Sequence, residues 1–281
     1  MDFPSSFFYR TPNGTNVHYT QIGNKSGPLV ILLHGLGGSN KTFESLLSYL
    51  SPHENRLVSV DLEGFGQTAL SSPDTTLSII RYVNDLEHLV ASLQSSSPDT
   101  PVSTITLIGH SLGAIVSMHY ASKHPSQIRR LVLLGSGRSI AHIPPARERM
   151  LGMAAKTRKE GIQAAADMAA STNFPLQGSV APEIRESVRE AVSSCDAEAY
   201  ARACEAVADL NHVDPCYSLI EAPTLLLAGS EDIISPVERS LGLKELIGDN
   251  ASVKVLEGVG HQMILQDLTG SAEAIQDLMS M

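Results

Sequence analysis

Short apolar runs without helical breaks recur along the chain: Leu29-Val-Ile-Leu-Leu33, Arg56 to Asp61, Thr104 to Ile108 and Ile128 to Leu134. Uninterrupted runs of this length predict strands buried on both faces. Ala222 to Gly229 and Ser252 to Leu256 complete the set. Between the runs, apolar residues recur at helical spacing. Asn40 to Leu50 places Phe43, Leu46, Leu47 and Leu50 on one side and stops at Ser51-Pro52. Thr76 to Leu93 is amphipathic, and Leu112 to Lys123 ends at His124-Pro125, where proline cannot continue a helix. Ahead of them, Phe7-Phe-Tyr-Arg10 and Thr15 to Ile22 read as a hairpin turning at Pro12-Asn13-Gly14. Strands alternating with helices in this way predict an α/β fold, a doubly wound and mostly parallel sheet.

The rhythm breaks from about Ser139 to Tyr217. That segment carries no β-branched apolar run, but Met150 to Met168 and Ala181 to Leu210 are helical in spacing and composition. Pro144-Pro145, Asn173-Phe174-Pro175 and Asp214-Pro215 punctuate it. It reads as an all-helical lid, 139–216, inserted into a core of 1–138 and 217–281. An insertion at this point of an α/β sheet lies beside the crevice where ligands bind. Packing along the sheet flank is the other account.

One turn suggests chemistry. Gly109-His110-Ser111-Leu112-Gly113 joins a predicted strand to a predicted helix, a G-x-S-x-G. Small residues on both sides permit a tight turn that lifts the Ser111 hydroxyl clear of the sheet, a nucleophile elbow. A serine hydroxyl needs a base, and the base needs an orienting acid. The loop after the last strand, Glu257-Gly-Val-Gly-His261, offers His261. The loop after the strand before it offers Glu231 and Asp232, of which Asp232 occupies the expected place in G-x-x-D. The loop after Ile128–Leu134, Gly135-Ser-Gly-Arg138, contains no carboxylate. An oxyanion needs two backbone donors. These are assigned to the amides of Leu112, at the helix start, and Leu36, in the Gly-rich loop His34-Gly-Leu-Gly-Gly38. His34 is read as a loop brace and His110 as structural.

Composition narrows the classes. The chain has 281 residues, 42% apolar and 18% charged, enough for an ordinary globular core. A net charge of −10 argues against nucleic acid and against anionic membrane surfaces. Cys195, Cys204 and Cys216 form no C-x-x-C, so reduced thiols and a cytoplasmic setting are expected. The N-terminus lacks a signal-peptide pattern, and no apolar stretch approaches the roughly 20 residues a membrane span needs. No metal motif appears, nor a nucleotide-binding glycine pattern, and no cofactor is expected.

Taken together, His34-Gly-Leu-Gly-Gly, Asp61-Leu-Glu-Gly-Phe-Gly-Gln-Thr68, Gly109-His-Ser-Leu-Gly, Gly229-Ser-Glu-Asp232 and Gly260-His261 resemble the α/β-hydrolase superfamily over essentially the whole chain. Within it the chain is most similar to 3-oxoadipate enol-lactonase-type hydrolases, through Glu198 to Leu210 and Ile220-Glu-Ala-Pro-Thr-Leu225. There are departures: Glu63 stands where relatives have Arg or Pro, Thr68 where Ser is usual, and Ala114 where a further Gly is common. Gln262 stands where carbon–carbon bond hydrolases of this fold carry Trp. The resemblance implies a cofactor-free serine hydrolase opening a small-molecule ester or lactone. Two alternatives stay open: β-diketone cleavage by the same triad, and a lactone-binding receptor. Gly35, Met150, Met153 and Phe174 are candidate substrate contacts, together with Met168 and Leu176. The alternative use of these apolar side chains is lid core. Arg138, Arg147 and Arg149 either meet a substrate carboxylate or are solvated.

Overall fold

A computed structural model describes residues 3–95, 105–175 and 180–281. Leu176, Thr104 of the predicted strand and all but Ser95 of the polar stretch read as a connector over Ser95 to Pro101 lie outside the described residues. The first two strands, β1 (Ser5–Arg10) and β2 (Asn16–Gly23), form the predicted hairpin, with Gly14 at φ +88° in its turn. They are followed by β3 (Leu29–Leu33), β4 (Arg56–Val60), β5 (Ile105–His110), β6 (Ile128–Leu134), β7 (Thr224–Gly229) and β8 (Ala251–Leu256). The spatial order is β1-β2-β4-β3-β5-β6-β7-β8, and every pairing from β4 onward is parallel.

The apolar runs are explained by burial on two faces. Ile31 and Leu33 of β3 enter one core with Val58, Leu107, Leu131 and Leu133. Val30 and Leu32 enter the other with Leu57, Ile108, Val132 and Leu134. A strand feeding two cores has no polar face to alternate with. The edges behave differently: β1 is mostly exposed, and β8 alternates.

Helix α1 (Ile79–Ser95) links β4 to β5, and α2 (Leu112–Lys123) links β5 to β6. The helix expected over Asn40 to Leu50 is two short 3-10 turns instead, Asn40–Phe43 and Leu47–Tyr49. Phe43, Leu46, Leu47 and Leu50 are all buried, so the spacing found the inward side. The segment is capped early, with Ser39 accepting from the Lys41 amide, and its turns close through three-residue bonds such as Leu46 N–H to Phe43 O and Tyr49 N–H to Leu46 O.

Between β6 and β7 the described residues contain four α-helices: α3 (Pro144–Glu160), α4 (Ile162–Thr172), α5 (Pro182–Ser193) and α6 (Ala197–Val207). The single helical stretches predicted here are each split. Gly161 at φ +85° ends α3, and Asp196 caps α6 by accepting from the Ala199 amide. The chain finishes with α7 (Val237–Ile247), α8 (Met263–Gln266) and α9 (Leu268–Met279). Among the described residues, no helix is long and apolar enough to cross a membrane.

The unusual Glu63 is buried and ion-paired. Arg81 grips it, Thr15 Oγ1 donates to it at 3.1 Å and the Ser71 amide at 2.8 Å. Nearby Asp85 accepts from Thr11 at 3.0 Å, while its buried Oδ2 has no hydrogen-bond partner among the described residues. Burial pushes the Asp85 carboxyl up. A carboxyl whose folded pKa exceeds its unfolded one binds more protons in the folded state, so its contribution to stability falls as pH rises from about 4. Asp85→Asn should therefore gain on the wild type between pH 4 and 7. Thermal unfolding at the two pH values checks this, and a constant difference would rule it out.

Candidate active site

All the loops singled out above leave the carboxyl ends of parallel strands, where α/β sheets bind ligands. The turn after β5 is sharp because its glycines are hemmed in. A Cβ at Gly109 would lie 2.5 Å from Gly113 O, and one at Gly113 would lie 2.1 Å from Leu33 O. Ser111 between them sits at φ +51°, ψ −111°. Positive φ in a non-glycine costs on the order of 1–3 kcal/mol and persists only where the surroundings enforce it. Here the Ser111 amide donates to Leu134 O at 2.9 Å, tying the turn to β6. Leu112 opens α2, so its amide has no intrahelical acceptor, and the positive end of the helix faces the turn.

His261 Nδ1 is 2.7 Å from Asp232 Oδ2, and both side chains are almost fully buried. The second carboxylate oxygen accepts from the Ile234 and Ser235 amides, each at 2.8 Å. Burial alone would raise the Asp232 pKa; the His261 ring and the two amides outweigh it and hold the carboxyl below its usual range. Glu231, the alternative acid, is exposed. The pair rests on Gly135 (φ +55°), where a Cβ would come within 2.9 Å of His261 Cε1. The loop without a carboxylate thus serves as the seat of the pair.

His110 touches the same loop. Buried and neutral, with its pKa lowered to about 3 by burial and then by His261, it meets the His261 carbonyl through Nε2 at 2.9 Å. The ring centroids are 4.9 Å apart. His110 links the elbow to the His261 loop, a contact the sequence did not reveal. Among the described residues neither Ser111 Oγ nor His261 Nε2 makes a hydrogen bond, so the serine–histidine link is open in this structure. Such links are often long before substrate binds.

The Gly-rich loop lies against the elbow: a Cβ at Gly35 would be 3.0 Å from Ser111 Cβ and 2.9 Å from His110 Nδ1. Leu36 is half-buried in it. His34 braces this loop, donating from Nδ1 to Gly35 O at 2.7 Å and accepting from the Leu62 amide at 3.0 Å. Below it, buried Asp61 accepts from Asn40 Nδ2 at 2.9 Å, the Gln67 amide at 2.9 Å and His18 Nδ1 at 2.7 Å. Ser6 Oγ meets His18 Nε2 at 2.7 Å, so Ser6–His18–Asp61 is a second serine–histidine–aspartate chain. Ser6 is on a regular edge strand with no helix starting behind it, and Asp61 is taken up by loop amides. That chain is a strut.

The helical insertion meets the site at several points. A Cβ at Gly37 would lie 2.8 Å from Val192 and 3.2 Å from Tyr200; one at Gly64 would lie 3.0 Å from Ala199. Met150 and Met153 are half-buried on α3 against the same core as Leu36, and Met168 is half-buried on α4. Phe174 is fully buried, with the Arg185 guanidinium 5.0 Å over its ring, so it faces protein. Arg138 pairs with Asp214 at 2.7 Å and Arg147 donates to Ala208 O at 3.0 Å, while Arg149 is exposed. Burial pushes the Cys195 and Cys204 thiols up to about 12, unlike reactive thiolates. Cys204 is buried in the core, whereas Cys216 is exposed. No group of three or more His, Cys, Asp or Glu suited to a metal occurs among the described residues.

Comparison with known proteins agrees with this architecture. A thermophilic esterase from Thermogutta terrifontis superposes with a TM-score of 0.83 at 23% identity, covering 99% of this chain and 98% of that one. The enol-lactonase from Burkholderia xenovorans LB400 gives 0.82 at 22%, covering 98% and 100%. In sequence, the 2-hydroxy-6-oxo-6-(2'-aminophenyl)hexa-2,4-dienoic acid hydrolase of Metapseudomonas resinovorans is 24% identical over 95% of this chain and 88% of its own length. The family described as serine aminopeptidase, S33 matches residues 24–268. The chain is therefore a member of that family and of the α/β-hydrolase superfamily, and a hydrolase.

Proposed function

We propose that this hydrolase opens an ester or lactone bond of a small molecule through Ser111, His261 and Asp232. The observation that carries the reading is the strained Ser111 at a strand–helix turn whose His110 meets the His261 carbonyl, with His261 paired to buried Asp232. His261 Nε2 takes the Ser111 proton as Oγ attacks the carbonyl carbon. Charge developing on the carbonyl oxygen is met by the Leu112 and Leu36 amides. Collapse of the tetrahedral adduct breaks the ester bond, and His261 returns the proton to the leaving oxygen. Water, deprotonated by His261, then hydrolyses the acyl-enzyme. Asp232 keeps Nδ1 protonated and Nε2 free to accept. The helical insertion acts as the lid, with Gly35, Met150 and Met153 as candidate contacts, and the free thiols fit a reducing, cytoplasmic setting.

The similarity to the Metapseudomonas enzyme favours carbon–carbon cleavage as a second reading, while Gln262 beside the histidine weighs against it. A panel of lactones and p-nitrophenyl esters tests the proposal. Multiple turnover is expected from the untreated enzyme, and in a separate sample a fluorophosphonate should label Ser111 and abolish that turnover. One turnover or none would favour a receptor, and two carbonyl fragments from a β-diketone would favour the second reading.

A further inference from the structure

Asn173-Phe174-Pro175 appears in the sequence as punctuation between two helices, yet it is where the insertion grips the His261 loop. The His261 amide donates to Asn173 O at 2.8 Å, while the His261 carbonyl meets His110 Nε2 at 2.9 Å. One side of this residue's backbone is thus held by the elbow and the other by the insertion. The approach requires glycine next door: a Cβ at Gly260 would lie 2.8 Å from Asn173 O and 3.0 Å from Phe174 Cα.

Arg185 of α5 grips the chain on both sides of Asn173. Its Nη1 donates to Ala170 O at 2.9 Å, on one side of Asn173, and its Nη2 to Pro175 O at 3.2 Å, on the other. Its guanidinium also covers the buried Phe174 ring at 5.0 Å. No carboxylate pairs with Arg185 among the described residues; Nη1 and Nη2 go to one carbonyl in the last turn of α4 and one in the loop that follows it. Its planar fork suits that task, and a lysine could supply only part of it. Arg189, one turn along the same helix, instead pairs with Asp167 and Glu186 on the exposed side.

We propose that Arg185 is a positioning residue for His261: through Phe174 and the 173–175 loop it fixes the carbonyl that orients the histidine backbone, so reactivity of Ser111 depends on docking of the insertion. The inference rests on the reading of Ser111 and His261 as nucleophile and base. Misplacing a catalytic group by about 1 Å costs up to roughly 100-fold. In the full chain, Arg185→Ala should lower kcat on p-nitrophenyl butyrate by roughly 10- to 100-fold, with KM changed less than about threefold. It should also shift or broaden the low-field proton resonance of the His261–Asp232 hydrogen bond. Arg185→Lys should recover part of both, and Arg189→Ala should match the wild type. If Arg185→Ala fails to fold, Phe174→Leu, which keeps apolar bulk and removes the ring, should show the same pair of changes. Unchanged kcat and resonance, or a rise in KM alone, would overturn the inference. Fluorophosphonate separates the two claims: a wild type unlabelled at Ser111 overturns both, while equal labelling rates in wild type and variant overturn the positioning role alone.

Discussion

Ser111→Ala should lower kcat on an activated ester by on the order of a millionfold, leaving the residual rate that the oxyanion donors and binding provide. The size follows from the proposed mechanism, because no other group can form the acyl-enzyme. A companion substitution separates chemistry from strain. Ser111→Gly also removes the hydroxyl, but it places at φ +51° the residue that adopts positive φ without steric cost. Relief of roughly 1–3 kcal/mol of strain should more than offset the added entropy of an unfolded glycine, about 0.5–1 kcal/mol. Ser111→Gly should therefore be inactive and more stable than Ser111→Ala, as read by kcat and by chemical unfolding. Steady turnover by either purified variant would remove Ser111 from the mechanism. Equal stabilities would mean that the turn stores no strain.

Asp232→Asn should cost about 10⁴-fold in kcat with little change in overall structure. Asp232 Oδ2 accepts from His261 Nδ1, which leaves Nε2 unprotonated and able to take the serine proton. An amide at 232 can donate to Nδ1 and so favour the other tautomer, with the proton on Nε2. A hydroxyl cannot deliver its proton there. The substitution also changes stability, with a definite sign. The carboxyl is held below its unfolded value, so its ionised form stabilises the fold above about pH 4, and this contribution is lost as pH falls through the folded pKa. Asp232→Asn should be less stable than the wild type at neutral pH, and the gap should close in acid. A gap that widened toward low pH would contradict the buried, ionised assignment. Activity within tenfold of wild type would show that His261 is oriented by something else.

Much of this architecture is legible in the sequence because burial on two faces leaves a local signature. Leu29 to Leu33 has no polar residue, since its alternate side chains enter different cores. The order Ser111, Asp232, His261 is legible for a related reason, as each residue follows a recognisable strand into a loop at the sheet's carboxyl edge. The Asn40–Leu50 segment is the counterexample. Its apolar spacing is equally compatible with an α-helix and with short 3-10 turns having the same inward side, and only the backbone hydrogen-bond pattern separates them.

Glu63 looks anomalous in the sequence and is ordinary in space, once Arg81 and Thr15 close around it from distant positions. Gly135 and Gly260 read as loop glycines, with no sign of what approaches them. A backbone contact such as Asn173 O to the His261 amide leaves no trace in residue type, because any residue could supply that carbonyl.

Residue by residue, the chain itself determined the strands, the elbow and the side chains proposed for acyl transfer, because those depend on pattern and on chemical type. The tertiary structure decided which loop seats the histidine, which buried charges neutralise one another and how the helical insertion reaches the His261 backbone. Those outcomes depend on groups far apart in sequence coming within a few ångströms, and many of the groups are backbone atoms common to every residue.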